Sequence, residues 1–410
     1  MVTYPADWEK VKLADLIIKG GSGGTPNTSK EEYYKGRIPF LSISDITNSN
    51  GYIYRTEKSI SELGLNSSAA WIVPAEALTL AMYASVGKVA ILKKDIATSQ
   101  AFYNMIFSGL GTRDFVYYYL KKFDRDNLWN PLISTGTQAN LNAKKIRNLE
   151  IYLPPLPEQQ AIASALSDFD EHIDDLSELI EKKKAIRDGA LEDLLSGRTR
   201  LDGFSGEWES IPFSQYFTLL PTNTYSREQL SDSGEIGNIH YGDVLIKYGC
   251  VLSQNDYIPR LIDASKVNVK QYLNKNDVII ADTAEDETVG KAVQIGELNI
   301  PLISGLHTIA CRPNYQTAGG FLGYYINSNC YHDQLLPYIT GIKVSSISKK
   351  SIGETELYIP VDPKEQQAIA EVLTAMDEEI ESLETEKEKM IQIKEGAMDD
   401  LLTGRVRLKV

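Results

Sequence analysis

Apolar positions along the chain follow two different periods. Ile162, Leu166, Phe169, Ile173, Leu176 and Ile180 step by alternating fours and threes, and Ile369, Leu373, Met376, Ile380 and Leu383 repeat the pattern. That spacing gathers them on one helical stripe, the seam of a coiled coil. The other faces carry Glu, Asp and Lys and read as solvated surface. Elsewhere the apolar runs are short. Residues 77–80, 88–92, 244–247 and 278–281 predict strands, broken by Gly, Asn and Asp turns, whereas 115–123 and 321–327 predict amphipathic helices.

The two seam segments belong to a repeat. IYLPPLPEQQAIASALSDFDEHIDDLSELIEKKKAIRDGALEDLLSGRTRL is answered by LYIPVDPKEQQAIAEVLTAMDEEIESLETEKEKMIQIKEGAMDDLLTGRVRL, with Gln159 and Gln160 recurring as Gln366 and Gln367, and Gly197 and Arg198 as Gly404 and Arg405. The offset is a constant 207 residues. Prolines open each copy, and a glycine followed by an arginine-rich, strand-like tail closes it. A helix of about 34 residues, roughly 50 Å long, is expected between those marks. With a compact domain in the interval, an antiparallel pairing of the two helices closes most easily; a plain rigid spacer, or a separate partner for each helix, stays open.

The intervening blocks correspond more weakly. Trp8 answers Trp208, Gly87-Lys88-Val89-Ala90 answers Gly290-Lys291-Ala292-Val293, and STGTQANLNAKKIRNLEIYLP answers ITGIKVSSISKKSIGETELYIP. The expected organisation is 1–150, 151–202, 203–357 and 358–410. The fold class is α+β, with two mixed α/β domains separated by two long helices that form an antiparallel coiled coil, and an internal pseudo-twofold repeat.

Charge complicates the picture, because the net value of −14 opposes a nucleic-acid partner. Its distribution is uneven, however: the first block is +4 and each of the other three is −6. Basic patches remain available before residue 150. No apolar stretch of membrane length exists, since 69–92 is interrupted by Pro74, Glu76 and Lys88. The N-terminus lacks a basic start with an apolar core, and Cys250, Cys311 and Cys330 make no disulfide framework. A cytoplasmic protein is expected.

Catalytic chemistry finds little support. KGGSGGTPNTSK lacks the GK[ST] ending of a phosphate loop, and Asn130-Pro131-Leu132 lacks the second proline and aromatic of a methyltransferase NPPY motif. His172, His240, His307 and His332 have no partners at metal-ligand spacing and read as structural or surface residues. Asp282, Glu285, Asp286 and Glu287 read as a polar loop. No catalytic residue, metal or cofactor is expected. What remains is the wealth of Tyr, Ser, Thr, Asn and Gln in 1–150 and 203–357, side chains suited to base edges and phosphates and equally to ordinary loops.

These motifs, in this order, resemble the specificity subunits of type I restriction-modification systems. The similarity spans the chain and rests on PLPEQQAIA and PKEQQAIA, LLSGRTRL and LLTGRVRL, GGTPNTSKEEYYKGRIPFLSISDI, and the STGTQANLN loop. The second domain departs from the first: it lacks Gly-Gly-Thr-Pro and has Ile342-Lys343 where the first has Thr137-Gln138. That bears on its target rather than its role. The resemblance implies two target-recognition domains, each reading one half of a bipartite DNA sequence. It also implies helices that set the spacer, on the order of 14 base pairs between half-site centres at ~3.4 Å per pair. Two methyltransferase subunits would dock on the helices, with restriction/translocase subunits as further partners. Candidate DNA contacts are Ser134, Thr135, Thr137, Gln138, Lys144 and Lys145 in the first domain, and Thr340, Lys343, Ser345, Lys349 and Lys350 in the second. Lys88, Tyr241, Lys247 and Lys291 are secondary candidates. The competing readings are a coiled-coil scaffold, the recognition subunit of a methylation-only methyltransferase, and a single-chain enzyme.

Overall fold

The computed structural model describes residues 4–135, 139–341 and 343–409. The chain divides into two compact units, 1–176 with 386–410, and 177–385.

In the first unit a five-stranded sheet has the order Ile17–Ser22, Phe102–Phe107, Leu78–Ala81, Val89–Leu92, Tyr52–Ile53, antiparallel except for the last pair. Its middle strands are buried on both faces. Leu78, Leu80, Val89 and Ile91 pack with Phe115, Val116 and Leu120 of the helix Leu110–Arg125, while Ala81, Ala90, Leu92 and Phe102 pack with Val73 and Ile96 of a second, four-stranded sheet. Burial on both faces is why these strands read as unbroken apolar runs. Glu9–Lys12 pairs with Glu150–Leu153, which delivers the chain to the long central helix, Leu156–Leu195.

The start of that helix joins the same core. Ile162 and Leu166 are fully buried beside Met398, Leu401 and Leu402 of the C-terminal helix, Pro363–Leu401. Asp170 pairs with Lys394, and His172 Nε2 lies 3.9 Å from Glu386. Gly404 ends the C-terminal helix region at φ +70°, where a Cβ would meet Pro5 at 2.5 Å; the residue must therefore be glycine on two counts.

The second unit repeats this plan. Its five-stranded sheet runs Phe217–Leu220, Thr308–Pro313, Val278–Ala281, Ala292–Ile295, Val251–Leu252, again with only the last pair parallel. Phe321–Asn327 covers it, and Ile369 and Leu373 are buried beside Leu194 and Leu195. Lys183 pairs with Glu379 at 2.7 Å and Arg187 with Asp377 at 3.4 Å. Within each unit, higher numbers on one helix meet lower numbers on the other, so the pairing is antiparallel. Leu176, Ile180 and Ile380 are buried along the seam, whereas Phe169, Ile173, Met376 and Leu383 are half-buried.

Three expectations are corrected. The helices reach 40 and 39 residues, because they begin within the proline-marked entries. Residues 244–247 are not a strand: Tyr241–Ile246 is a helix, capped by His240 Nδ1 accepting from the Gly242 amide at 3.3 Å and braced by Lys247 on the buried Asp243. A short apolar run does not distinguish the two. The tails after Gly197 and Gly404 form turns and coil rather than strands. Their arginines are committed to ion pairs, Arg200 with Glu365 and Arg407 with Glu158.

Candidate nucleic-acid interface

In the second domain, Thr340 and Ser346 exchange backbone hydrogen bonds at 3.0 and 2.8 Å, closing a hairpin that Gly341 enters at φ +127°. Ser345–Ser346 then adds to Thr283–Ala284, and the Ile347 amide donates to the Asp282 carbonyl at 2.9 Å. A short helix, Lys349–Gly353, follows, with Ser348 as its cap. Lys343, Lys349, Lys350 and Thr340 are exposed and Ser345 is half-buried, so five of the expected contacts converge on one loop system.

Other expected residues are otherwise engaged. Lys291 Nζ donates to the Leu245 carbonyl at 2.8 Å, and burial lowers its pKa. Lys247 pairs with Asp243 at 3.0 Å and stands 5.4 Å over the Tyr257 ring. Tyr241 meets His307 edge-to-face at 5.4 Å between centroids. His307 is exposed and sits beside the hairpin: the Asp282 amide donates to its carbonyl at 3.1 Å.

The first domain builds the same stitch. Ser134–Thr135 pairs with Ala139–Asn140, Asn140 bridges to Tyr83, and the Leu141 amide donates to the Met82 carbonyl at 2.9 Å. Thr137 and Gln138 lie outside the described residues, and only the backbone of Ser134 and Thr135 is described. Lys144 is exposed, whereas Lys145 Nζ donates to the Leu132 carbonyl at 2.6 Å. Lys88 is half-exposed, 3.7 Å from Asp124. The turn 82–85 carries two left-handed non-glycine residues, Ala84 at φ +42° and Ser85 at φ +47°. Sequence reasoning missed Tyr83, an exposed aromatic in that turn. The glycine-rich segment has a packing role: a Cβ on Gly23 would stand 1.8 Å from the Thr98 carbonyl, and one on Gly24 2.8 Å from Ala69.

A cavity of about 470 Å³ in the first unit is lined by Lys88, Lys121, Lys394, Asp170 and Asp174 among others. Burial brings Lys121 down to about 8 against the opposing pull of Asp170. Among the described residues, no cluster of His, Cys, Asp and Glu could hold a metal, and no helix is long and apolar enough to cross a membrane.

The model of the type I restriction modification DNA specificity domain matches this chain twice, over residues 5–186 and 206–392. The chain belongs to that family. It is a specificity subunit of a type I restriction-modification system, with two tandem DNA recognition domains. Among relatives, the MjaX specificity subunit of Methanocaldococcus jannaschii is 27% identical over 440 residues, covering 99% of this chain and 95% of that one. The MjaVIII specificity subunit of the same organism is 25% identical, covering 99% and 94%. The fold is shared with the crystal structure of the type I system S subunit from M. genitalium, at TM-score 0.58, 16% identity and 96% coverage of each chain. A structure described as bearing on complex assembly and conformational transition of the type I system gives 0.60 at 14% identity, covering 99% of this chain and 100% of that one.

Proposed function

We propose that the recognition domains, 1–150 and 203–357, each read one half of a bipartite target, and that the helical regions, 151–202 and 358–410, act as the ruler that sets the gap. Catalysis then belongs to partner subunits, and this chain works in the cytoplasm as their DNA guide. The observation that carries this reading is the repeated stitch between the hairpin preceding each long helix and the segment at 82–85 or 282–284. One surface, built twice on one topology, suits two short readings of DNA. In the second domain Thr340, Lys343, Ser345, Lys349 and Lys350 form the contact set; in the first it is Ser134, Thr135, Thr137, Gln138 and Lys144. Lys145, Lys247 and Lys291 brace the loops instead.

Two copies of one methyltransferase partner fit the helices. Ile186 and Ile393 occupy repeat-equivalent positions, 59% and 54% exposed, so each repeat offers an identical partner the same apolar residue. The test is methylation by the reconstituted complex on duplexes whose gap is lengthened by one base pair. A ruler predicts loss of methylation with both half-sites intact; unchanged methylation would refute it.

A further inference from the structure

The turn between Leu302–Ser304 and Thr308–Pro313 is nearly all interior. Ser304, Gly305 and Thr308 are buried, and Ser304 Oγ and Thr308 Oγ1 lie 2.6 Å apart. His307 alone in it is exposed, with its backbone in the left-handed region at φ +55°. Such a φ is uncommon outside glycine, and histidine is among the few side chains enriched there, so this turn presents a single exposed imidazole.

The ring is oriented from two sides. Tyr241 packs against it edge-to-face, and its Nδ1 lies 3.4 Å from Thr283 Oγ1 and 3.5 Å from Asp282 Oδ1. The Thr283 hydroxyl donates to Asp282 Oδ1 at 2.8 Å, so its proton is spent and its oxygen is left to accept. Nδ1 therefore faces two acceptors and carries the proton, and in the neutral ring Nε2 is an acceptor. Thr283 is also the residue to which the Ser345–Ser346 strand adds, so the ring stands beside the loop bearing Lys343, Lys349 and Lys350.

Resting on the reading of 203–357 as a DNA reader, we propose that His307 is a specificity-determining residue of the second half-site, whose Nε2 accepts a hydrogen bond from an exocyclic amino group in the major groove. Adenine N6 and cytosine N4 are the groups that donate there. Thr283, Asp282 and Tyr241 are positioning residues that fix the tautomer and the ring plane. Loss of one such contact relaxes the preference at one base pair by about tenfold.

The test uses the full chain in complex with its methyltransferase partner and reads the methylated motif by whole-genome methylation sequencing. His307→Gly removes the imidazole and suits the positive φ, so it keeps the fold; His307→Ala is the second variant. Both are expected to make one A·T or C·G position of the second half-site degenerate and leave the first half unchanged. Thr283→Val is expected to relax the same position in part. Duplexes carrying purine for adenine, or an analogue lacking the cytosine amine, then identify the base: wild type loses about tenfold on the right one and His307→Gly loses nothing further. An unchanged motif in both His307 variants, or degeneracy confined to the first half, overturns the proposal. If replacing 203–357 with another recognition domain still changes one half-site, the failure is His307's alone; if that replacement changes nothing, the domain reading fails with it.

Discussion

Tyr118 donates its hydroxyl hydrogen bond to Asp170 at 2.8 Å, tying the helix of the first domain to the central helix. Tyr324 makes the same bond to Asp377 at 2.8 Å in the second unit. Burial, reinforced by Asp170 in one case and Asp377 in the other, raises both phenols well above their ordinary value, so they remain donors at any working pH. A bond to a charged acceptor contributes on the order of 1.5–3 kcal/mol. Tyr118→Phe and Tyr324→Phe are each expected to lower the stability of their own unit by about 1–2 kcal/mol, because Asp170 and Asp377 keep other partners. Urea unfolding followed by hydrogen exchange in each unit checks this.

Arg407 carries a larger share. It donates to Glu158 at 2.6 and 2.8 Å and to Asp7 at 3.0 and 2.7 Å, and the Glu158 side chain is only 3% exposed. Arg200 meets Glu365 in the same way in the second unit. Removing one member strands a buried charge, at a cost of roughly 3–5 kcal/mol. Arg407→Met is expected to lower the unfolding midpoint of the first unit strongly, and the double change Arg407→Met with Glu158→Gln to recover most of the loss. Equal destabilisation by the single and double variants would contradict this.

Lys121 sets a pH dependence. Burial depresses its folded-state pKa to about 8 from the ordinary 10.5, so between those values the unfolded chain binds more protons and stability rises with pH. The gain begins near pH 8 and is complete above the unfolded value. Asp399 works at the acid end: burial would raise its pKa, but Lys122 and Arg125 hold it lowered, so its contribution is present above the unfolded value of 3.8 and lost as pH falls through the folded one. Lys121→Met is expected to flatten the alkaline rise and to stabilise the first unit at pH 7 by about 1–2 kcal/mol. Thermal unfolding from pH 6 to 10 measures both.

The lysines separate by what holds them. Lys349 and Lys350 are exposed, so Lys349→Ala and Lys350→Ala should each reduce the slope of log affinity against log salt by about one. Lys291 is held by the Leu245 carbonyl, so Lys291→Met should alter stability and leave that slope alone. Titrations of the assembled complex on target duplex at several salt concentrations distinguish them.

Much of this was legible in the chain. The constant offset exposed the duplication, the four-and-three spacing located both helices, and the apolar runs at 77–80, 88–92 and 278–281 fell on buried strands because burial on both faces removes polar alternation. Less legible was whatever depends on tertiary partners. The run at 244–247 is helical because His240 caps it and Asp243 is buried against Arg227 and Lys247. Lys291 reads like any surface lysine until its ammonium finds a carbonyl 46 residues away. His307 had no neighbour in sequence to mark it; Tyr241, Asp282 and Thr283 reach it only through the fold.

The most direct measurement concerns the two readers. With 1–150 replaced by the recognition domain of another specificity subunit, the complex would be assembled with its methyltransferase and its motif read by whole-genome methylation sequencing. The account predicts a split motif in the parent and, in the chimera, a changed first half, an unchanged second half and the same gap. A continuous parent motif, or a chimera in which both halves change together, would contradict it.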